Sequence, residues 1–281
     1  MTRNPKNEPE TTVVVTGASG RTGRRVAESA RAAGLTVRPA SRAHGFDWGD
    51  RDTWADALRG ADAAYLVWPS DVGSPEATET MGAFATEAVR LGVRRLVLLS
   101  ARGEEQARPT EDAVRGSGAE WTVVRASFFA QNFSEGPLVE ELRQNGQLVF
   151  PGGKVGEPFI DARDIADVVV AVVRAGDRYV GQNLDVTGPR LLTFEQAVGE
   201  IAGATGRPLT YRGVPPHAYL DRLTGFGVPR AEAELLVELF ASVLDGRNAR
   251  TTDAVRRVLG REPRDFSEFA REAAAAGAWK A

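Results

Sequence analysis

The chain has no cysteine and only two histidines, His44 and His217. Without cysteine there is no disulfide, no thiolate nucleophile and no thiolate metal site, and two imidazoles are too few for an all-histidine one. Lysine is nearly missing as well: Lys6, Lys154 and Lys280 stand beside 32 arginines. That bias reads as the residue usage of a GC-rich genome rather than as a binding signal. Positive charge is not in excess, since the net charge is -3 and the two signs are mixed along the chain. No nucleic-acid partner is expected from such a balance, because neutralising phosphates needs clustered cations. No apolar run approaches the ~20 residues of a membrane span, so no membrane partner is expected. Residues 1–10 are polar, contain prolines and lack the apolar centre of a signal peptide. They read as a flexible N-terminus, and the expected location is cytoplasmic. The four tyrosines, at 65, 179, 211 and 219, are never followed four residues later by lysine. The Tyr-x-x-x-Lys pair, in which a cation lowers a phenol pKa for proton transfer, is therefore excluded.

What is present is an alternation of β-branched runs and amphipathic segments. Of the 281 residues 42% are apolar, enough for a sizeable core. Strands are predicted at 11–16, 35–40, 63–68, 95–100 and 121–125, and their near-continuous apolar character fits strands covered on both faces. Between them helices are predicted at 21–33, 51–58, 75–91 and 110–117, each closed by a glycine. This is the pattern of βαβ units feeding a parallel sheet. Later helices are expected at 162–174, 193–204, 229–244 and 264–276. The fold expected is α/β, a doubly wound parallel sheet of Rossmann type with a smaller, mostly helical C-terminal lobe. Residues 11–150 would form the dinucleotide-binding domain, 161–187 would return to it, and 188–281 would form the substrate-binding lobe.

The strongest motif runs from Val13-Val14-Val15-Thr16 through Gly17-Ala18-Ser19-Gly20-Arg21-Thr22-Gly23 into a helix. Glycines at 17, 20 and 23 permit a tight turn, close approach of backbone to a pyrophosphate and close packing of helix on strand, while the helix N-terminus offers unpaired N–H groups to the anion. Gly17, Ser19, Gly20, Arg21, Thr22 and Gly23 are accordingly candidate cofactor residues. At the end of the second strand an NAD site usually offers a carboxylate, whereas this chain has Ser41-Arg42. A hydroxyl followed by a guanidinium suits a 2′-phosphate, and Arg21 could add a second cation, so the cofactor expected is NADPH. Phe46-Asp47-Trp48 would border the adenine, Asp47 accepting from its amino group and Trp48 lying beside its face. His44 reads as loop or rim.

These residues, together with Leu66-Val67-Trp68-Pro69, the run from Trp121 to Phe133 (WTVVRASFFAQNF) and the run from Phe159 to Val168 (FIDARDIADV), resemble the NmrA-like branch of atypical short-chain dehydrogenases/reductases. That branch includes triphenylmethane reductase, quinone reductases, reductases similar to agroclavine dehydrogenase, and non-catalytic redox sensors. The resemblance spans residues 11 to 205. It implies that Val67, Trp68 and Pro69 line the nicotinamide side, that Ser100 and Ala101 follow the fourth strand beside the ribose, and that Phe128, Phe129 and Asn132 face the substrate, with Trp68 serving both. Relatives similar to isoflavone reductase carry a lysine on the helix of residues 107–117, and this chain has none there.

A reductase of an already electron-poor acceptor needs orientation and dryness more than an acid. The resemblance therefore implies hydride transfer to an iminium, quinone or conjugated enone, a flat conjugated small molecule, with no catalytic residue identified beyond the weak candidate Ser100. The alternative is a non-catalytic NADP(H) sensor acting through a protein partner. His217 reads as a surface residue, and Asp161, Asp164 and Asp167 read as helix-capping and solvated groups rather than a metal site. The oligomeric state is left open by the sequence.

Overall fold

The computed structural model describes residues 11–136 and 138–280. The expected flexible segment 1–10 lies outside them. Six strands form one sheet in the order β2-β1-β3-β4-β5-β7, namely Thr36–Ala40, Thr12–Thr16, Ala63–Leu66, Arg95–Ala101, Glu120–Ala126 and Gln182–Val186. The strands run parallel, with Val13 beside Val37 on one side and Ala63 on the other, and Ala64 beside Leu96. Val13, Val14 and Val15 are all buried, as a strand with neighbours on both sides and helices over both faces requires.

The helices that connect the strands are α1 (Gly23–Ala32), α2 (Trp54–Leu58), α3 (Pro75–Arg90) and α4 (Arg108–Arg115). Local chemistry fixes their ends. Ser74 accepts a hydrogen bond from the Ala77 amide at 3.1 Å, and Pro75 occupies the first turn, where its missing N–H costs nothing. The predicted strands and helices of this half are all found, within three residues at each end.

Two compact units divide the chain. The first holds residues 11–100, 106–124 and 166–184; the second holds 101–105, 125–136, 138–165 and 185–280. Residues 101–105, 125–136 and 138–150, expected in the nucleotide domain, thus fall in the second unit. That unit contains the short turns α5 (Asn132–Glu135) and α6 (Leu138–Glu140), strand β6 (Gln147–Phe150), the start of α7 (Ala162–Arg174), α8 (Phe194–Thr205), β8 (Thr210–Gly213), α9 (Pro216–Gly225), α10 (Arg230–Val243), α11 (Ala254–Leu259) and α12 (Phe266–Ala275). A capping box starts α8, Thr193 Oγ1 taking the Gln196 amide and the Gln196 side chain taking the Thr193 amide. Though mostly helical, the unit has its own two-stranded parallel sheet, β6 with β8.

Each unit has its own aromatic core. In the first, Phe46, Trp48, Trp54, Trp68 and Phe84 pack together, mostly edge to face. In the second, Phe133, Phe150, Phe159, Phe194 and Phe266 do the same. No helix among the described residues is long and apolar enough to cross a membrane.

Candidate functional site

The glycine turn joins β1 to α1, and each of its glycines has a separate steric reason. Gly17 sits at φ +58°, where a side chain is disfavoured, and a Cβ there would lie 2.7 Å from Val67 Cγ1. A Cβ on Gly23 would overlap the Gly17 carbonyl oxygen, so the first turn of α1 packs directly on the loop backbone. Gly20 closes the turn with its amide 2.8 Å from the Gly17 oxygen, and its Cβ position lies 3.1 Å from the same atom. Ser19 and Gly20 are exposed and Arg21 is half-buried, so the turn presents an open face beside the N-terminus of α1 that a side chain at 20 would crowd.

Three buried hydroxyls fix this turn against β3. Thr16 Oγ1 donates to the Tyr65 carbonyl at 3.0 Å and accepts from the Val67 amide at 2.9 Å. Tyr65 donates its phenol proton to Thr22 Oγ1 at 3.0 Å. Full burial raises the Tyr65 pKa well above the ordinary phenol value, so Tyr65 stays a neutral donor. Sequence reasoning missed this network. Its signal was present in the polar Thr16 and Tyr65 inside apolar strands, which have to find partners once buried.

At the end of β2, Ser41 is buried and its Oγ lies 2.8 Å from His44 Nδ1, so His44 braces the loop that the sequence left it merely bordering. Arg42 is exposed, and its side chain makes no hydrogen bond or ion pair among the described residues. Asp47 Oδ1 accepts the Gly49 amide at 2.9 Å, and the Asp47 carbonyl accepts Trp54 Nε1 at 3.1 Å. Trp48 does not stand free beside an adenine. Its ring is packed on Phe46, Trp54, Trp68 and Phe84 at 4.9 to 6.4 Å, because a ring that large gains more from core burial than from a loop surface.

Trp68 belongs to the same cluster, yet its indole N–H is buried with no hydrogen-bond partner. Val67 is half-buried over Gly17 and Pro69 is exposed. Ser100, the weak catalytic candidate, is occupied otherwise. Its hydroxyl donates to Glu111 Oε1 at 2.7 Å, and Glu111, buried on α4, also receives Arg115 at 2.8 Å. The helix that lacks a lysine carries instead a carboxylate that takes the Ser100 proton.

Ala101, Phe128, Phe129 and Asn132 lie in the second unit. Phe128 is half-buried and closes the phenylalanine cluster, 5.3 Å from Phe194 and 5.9 Å from Phe159. Phe129 and Asn132 are also half-buried; Phe129 pairs in a parallel bridge with Ile160, and Asn132 opens α5. His217 is exposed on the first turn of α9. Asp161 is held by Arg163 and Gln131, Asp164 by Arg261 and Arg264, and Asp167 accepts from Ser29. No group of three metal-ligating side chains occurs among the described residues.

The family is decided by the match of the NmrA-like family model to residues 44–270. The chain belongs to the NmrA-like family. Among curated relatives of this NmrA-like chain, the (4-alkanoyl-5-oxo-2,5-dihydrofuran-3-yl)methyl phosphate reductase of Streptomyces griseus is 32% identical, covering 94% of this chain and 98% of that one. The NAD(P)H azoreductase of Xenophilus azovorans is 31% identical over 89% of this chain and 88% of its own. Among solved structures, the Escherichia coli NADPH-dependent quinone oxidoreductase complexed with NADPH superposes with a TM-score of 0.76 at 19% identity, over 93% of this chain and 99% of that one.

Proposed function

We propose that this NmrA-like chain is an NADPH-dependent reductase that passes hydride to an activated small organic acceptor, an iminium, a quinone or a conjugated enone. One observation carries the cofactor half of this reading. The glycine turn is locked to β3 by Thr16, Tyr65 and Thr22, while Ser41 and the exposed, unpaired Arg42 stand at the end of the neighbouring β2. The turn from Gly17 to Gly23 and the N-terminus of α1 would hold the pyrophosphate, and Ser41 with Arg42, aided by Arg21, the 2′-phosphate. Asp47 would border the adenine. When bound, NADPH supplies the hydride. Val67, Trp68, Pro69, Ser100 and Ala101 are the proposed nicotinamide contacts, and Trp68, Phe128, Phe129 and Asn132 the proposed acceptor contacts. The relatives named as an NAD(P)H azoreductase and as a reductase of a dihydrofuranone methyl phosphate support an NAD(P)H-dependent oxidoreductase.

The side chains limit the chemistry. The Ser100 proton goes to Glu111, and burial raises the pKa values of Tyr65, Tyr211 and Tyr219, the last to about 12. None of these is a ready acid for an unactivated ketone. The acceptor must therefore stabilise its own product anion, and the chain's part is to orient it and exclude water. The same lack of an acid favours the second reading, an NADP(H)-binding regulator without turnover that acts through a protein partner. A panel of quinones, cyclic iminium ions and enones offered with C4-deuterated NADPH separates the two. Deuterium in a reduced product is the expected result. Tight NADPH binding with no acceptor reduced, and redox-dependent association with a partner, would decide for the regulator.

A further inference from the structure

The second unit buries an arginine that is only partly used. Arg102, on the residue after β4, is 3% exposed, and its Nη1 donates to the Asn248 carbonyl at 2.9 Å. Its Nε and Nη2 have no hydrogen-bond partner. A carboxylate oxygen of the half-buried Asp185 lies 3.7 Å from Nε, close enough for an ion pair but too far for a hydrogen bond. Elsewhere in the molecule that same edge of the guanidinium grips an oxyanion. Arg90 holds Glu87, Arg163 holds Asp161, Arg190 holds Asp265 and Arg247 holds Asp245, each through Nε and Nη2 together. Only at Arg102 among these five is the fork both buried and empty.

A second orphan accompanies it. Glu157 is 2% exposed and its Oε1 has no hydrogen-bond partner, while its backbone pairs with Leu192 in both directions. Burial and the charge of Asp245 push its carboxyl up to about 7, against the pull of Arg102. Below neutral pH much of Glu157 is thus uncharged, and its Oε1 finds no donor. Two unmet N–H groups and an unmet carboxyl oxygen, all out of water, each carry an uncompensated desolvation cost. Such groups are few in native structures and call for something that completes them, be it water, an ion or a ligand.

The position is informative. The Arg102 amide donates to the Ala126 carbonyl, Ser127 Oγ donates to the Pro158 carbonyl, and Ile160 donates to the Phe128 carbonyl. Arg102 and the segment from Glu157 therefore flank the stretch that leads into Phe128 and Phe129. We infer that the Nε/Nη2 edge of Arg102 is a subsite for an oxyanion, the carboxylate or phosphate group of an acidic small molecule, with the Glu157 carboxyl as its neighbour. That this molecule is the acceptor rests on the reductase reading; that the fork binds an oxyanion does not. The turn carrying Asn248, whose Nδ2 donates to the Arg102 carbonyl at 3.0 Å, is the segment clasped over the arginine and the one a ligand displaces.

Calorimetric titration of the whole chain, loaded with NADPH, with benzoate and with phenyl phosphate tests the site at pH 6, and the two probes distinguish carboxylate from phosphate. Saturable binding of one of them is expected, weakened at least tenfold in Arg102→Lys, which keeps the charge and loses the fork. Glu157→Gln, which removes the neighbouring negative charge without a change of shape, should bind several-fold tighter than wild type at pH 8. Equal binding by Arg102→Lys and wild type, or no saturable binding in either wild type or Glu157→Gln, overturns the subsite. The acceptor reading is tested apart from it, by comparing reduction of a neutral quinone with that of its carboxylated analogue. Turnover of the neutral quinone by a chain that binds no anion leaves the reductase standing and the subsite refuted; anion binding without any turnover does the reverse.

Discussion

Two sets of buried polar groups, one in each unit, are treated in opposite ways. In the first, Thr16, Thr22 and Tyr65 are all at most 5% exposed and all hydrogen-bonded, so the network fixes the glycine turn without leaving a demand unmet. In the second, Arg102 and Glu157 are equally buried and keep three polar atoms without partners. A satisfied network is finished structure, and it holds a backbone in one place. An unsatisfied pair is costly in the free protein and becomes worth its cost when something else completes it.

The sharpest way to break the finished side is Gly23→Ala. The new methyl would collide with the Gly17 carbonyl, and because both atoms belong to backbone, neither can turn aside. Denaturant unfolding should show a loss of about 3 to 5 kcal/mol, the range of severe overpacking and strain, with NADPH binding lost as well. Next comes the unfinished side, through pH. Glu157 has its carboxyl raised from 4.5 to about 7 in the folded chain, so the native state holds that proton more tightly than the unfolded one. Its contribution to stability is complete below pH ~4.5 and is lost as pH rises to about 7, a fall on the order of 3 kcal/mol. The groups that set it, Arg102 and Asp245, stay charged across this window. Glu157→Gln should flatten that part of the stability curve, and an unchanged slope would show that Glu157 is not its source.

Cofactor choice gives a smaller effect. Arg42→Ala should weaken NADPH by about 2 kcal/mol, the scale of one charge-assisted contact, while NADH binding measured by calorimetry is little changed. Smallest is Tyr65→Phe, which takes one donor from Thr22 and keeps the ring. A cost of about 1 kcal/mol in unfolding is expected, with NADPH affinity reduced modestly as the turn loosens.

The comparison also separates what the sequence discloses from what it hides. Strands β1, β3, β4 and β5 announce themselves through apolar runs, because burial leaves little room for polar residues, and helices α1 to α4 through their amphipathic pattern and closing glycines. The edge strand β2, with Thr36 exposed and Arg38 within it, is placed by the glycine before it. Strand β7 does not: Gln182 and Asn183 are exposed at the sheet's edge, so its pattern is diluted. Strand β8, with Thr210, Arg212 and Gly213 exposed, reads as loop. For the site, Arg42 is legible from its place after β2, since position along a doubly wound chain predicts position on the sheet. Trp48 is misleading because an aromatic residue suits a core and a ligand face equally well. Arg102 and Glu157 are 55 positions apart, and no spacing rule joins them; what marks them is missing partners, a property that exists only once the chain is folded.

The first unit is written in three instalments along the chain, with residues 166–184 the last. Its sheet therefore waits for its edge during synthesis. When residue 126 has been made, five of the six strands exist; β7 is complete only at residue 186. At ~5–20 residues per second the ribosome needs roughly 3 to 12 s to cover that stretch. Through those seconds β5 is the open margin of the sheet, with Val123 and Val124 among the residues it exposes to a stray strand. The second unit's early chain, which occupies the gap, sets how long the nucleotide-binding unit has to do without its last strand.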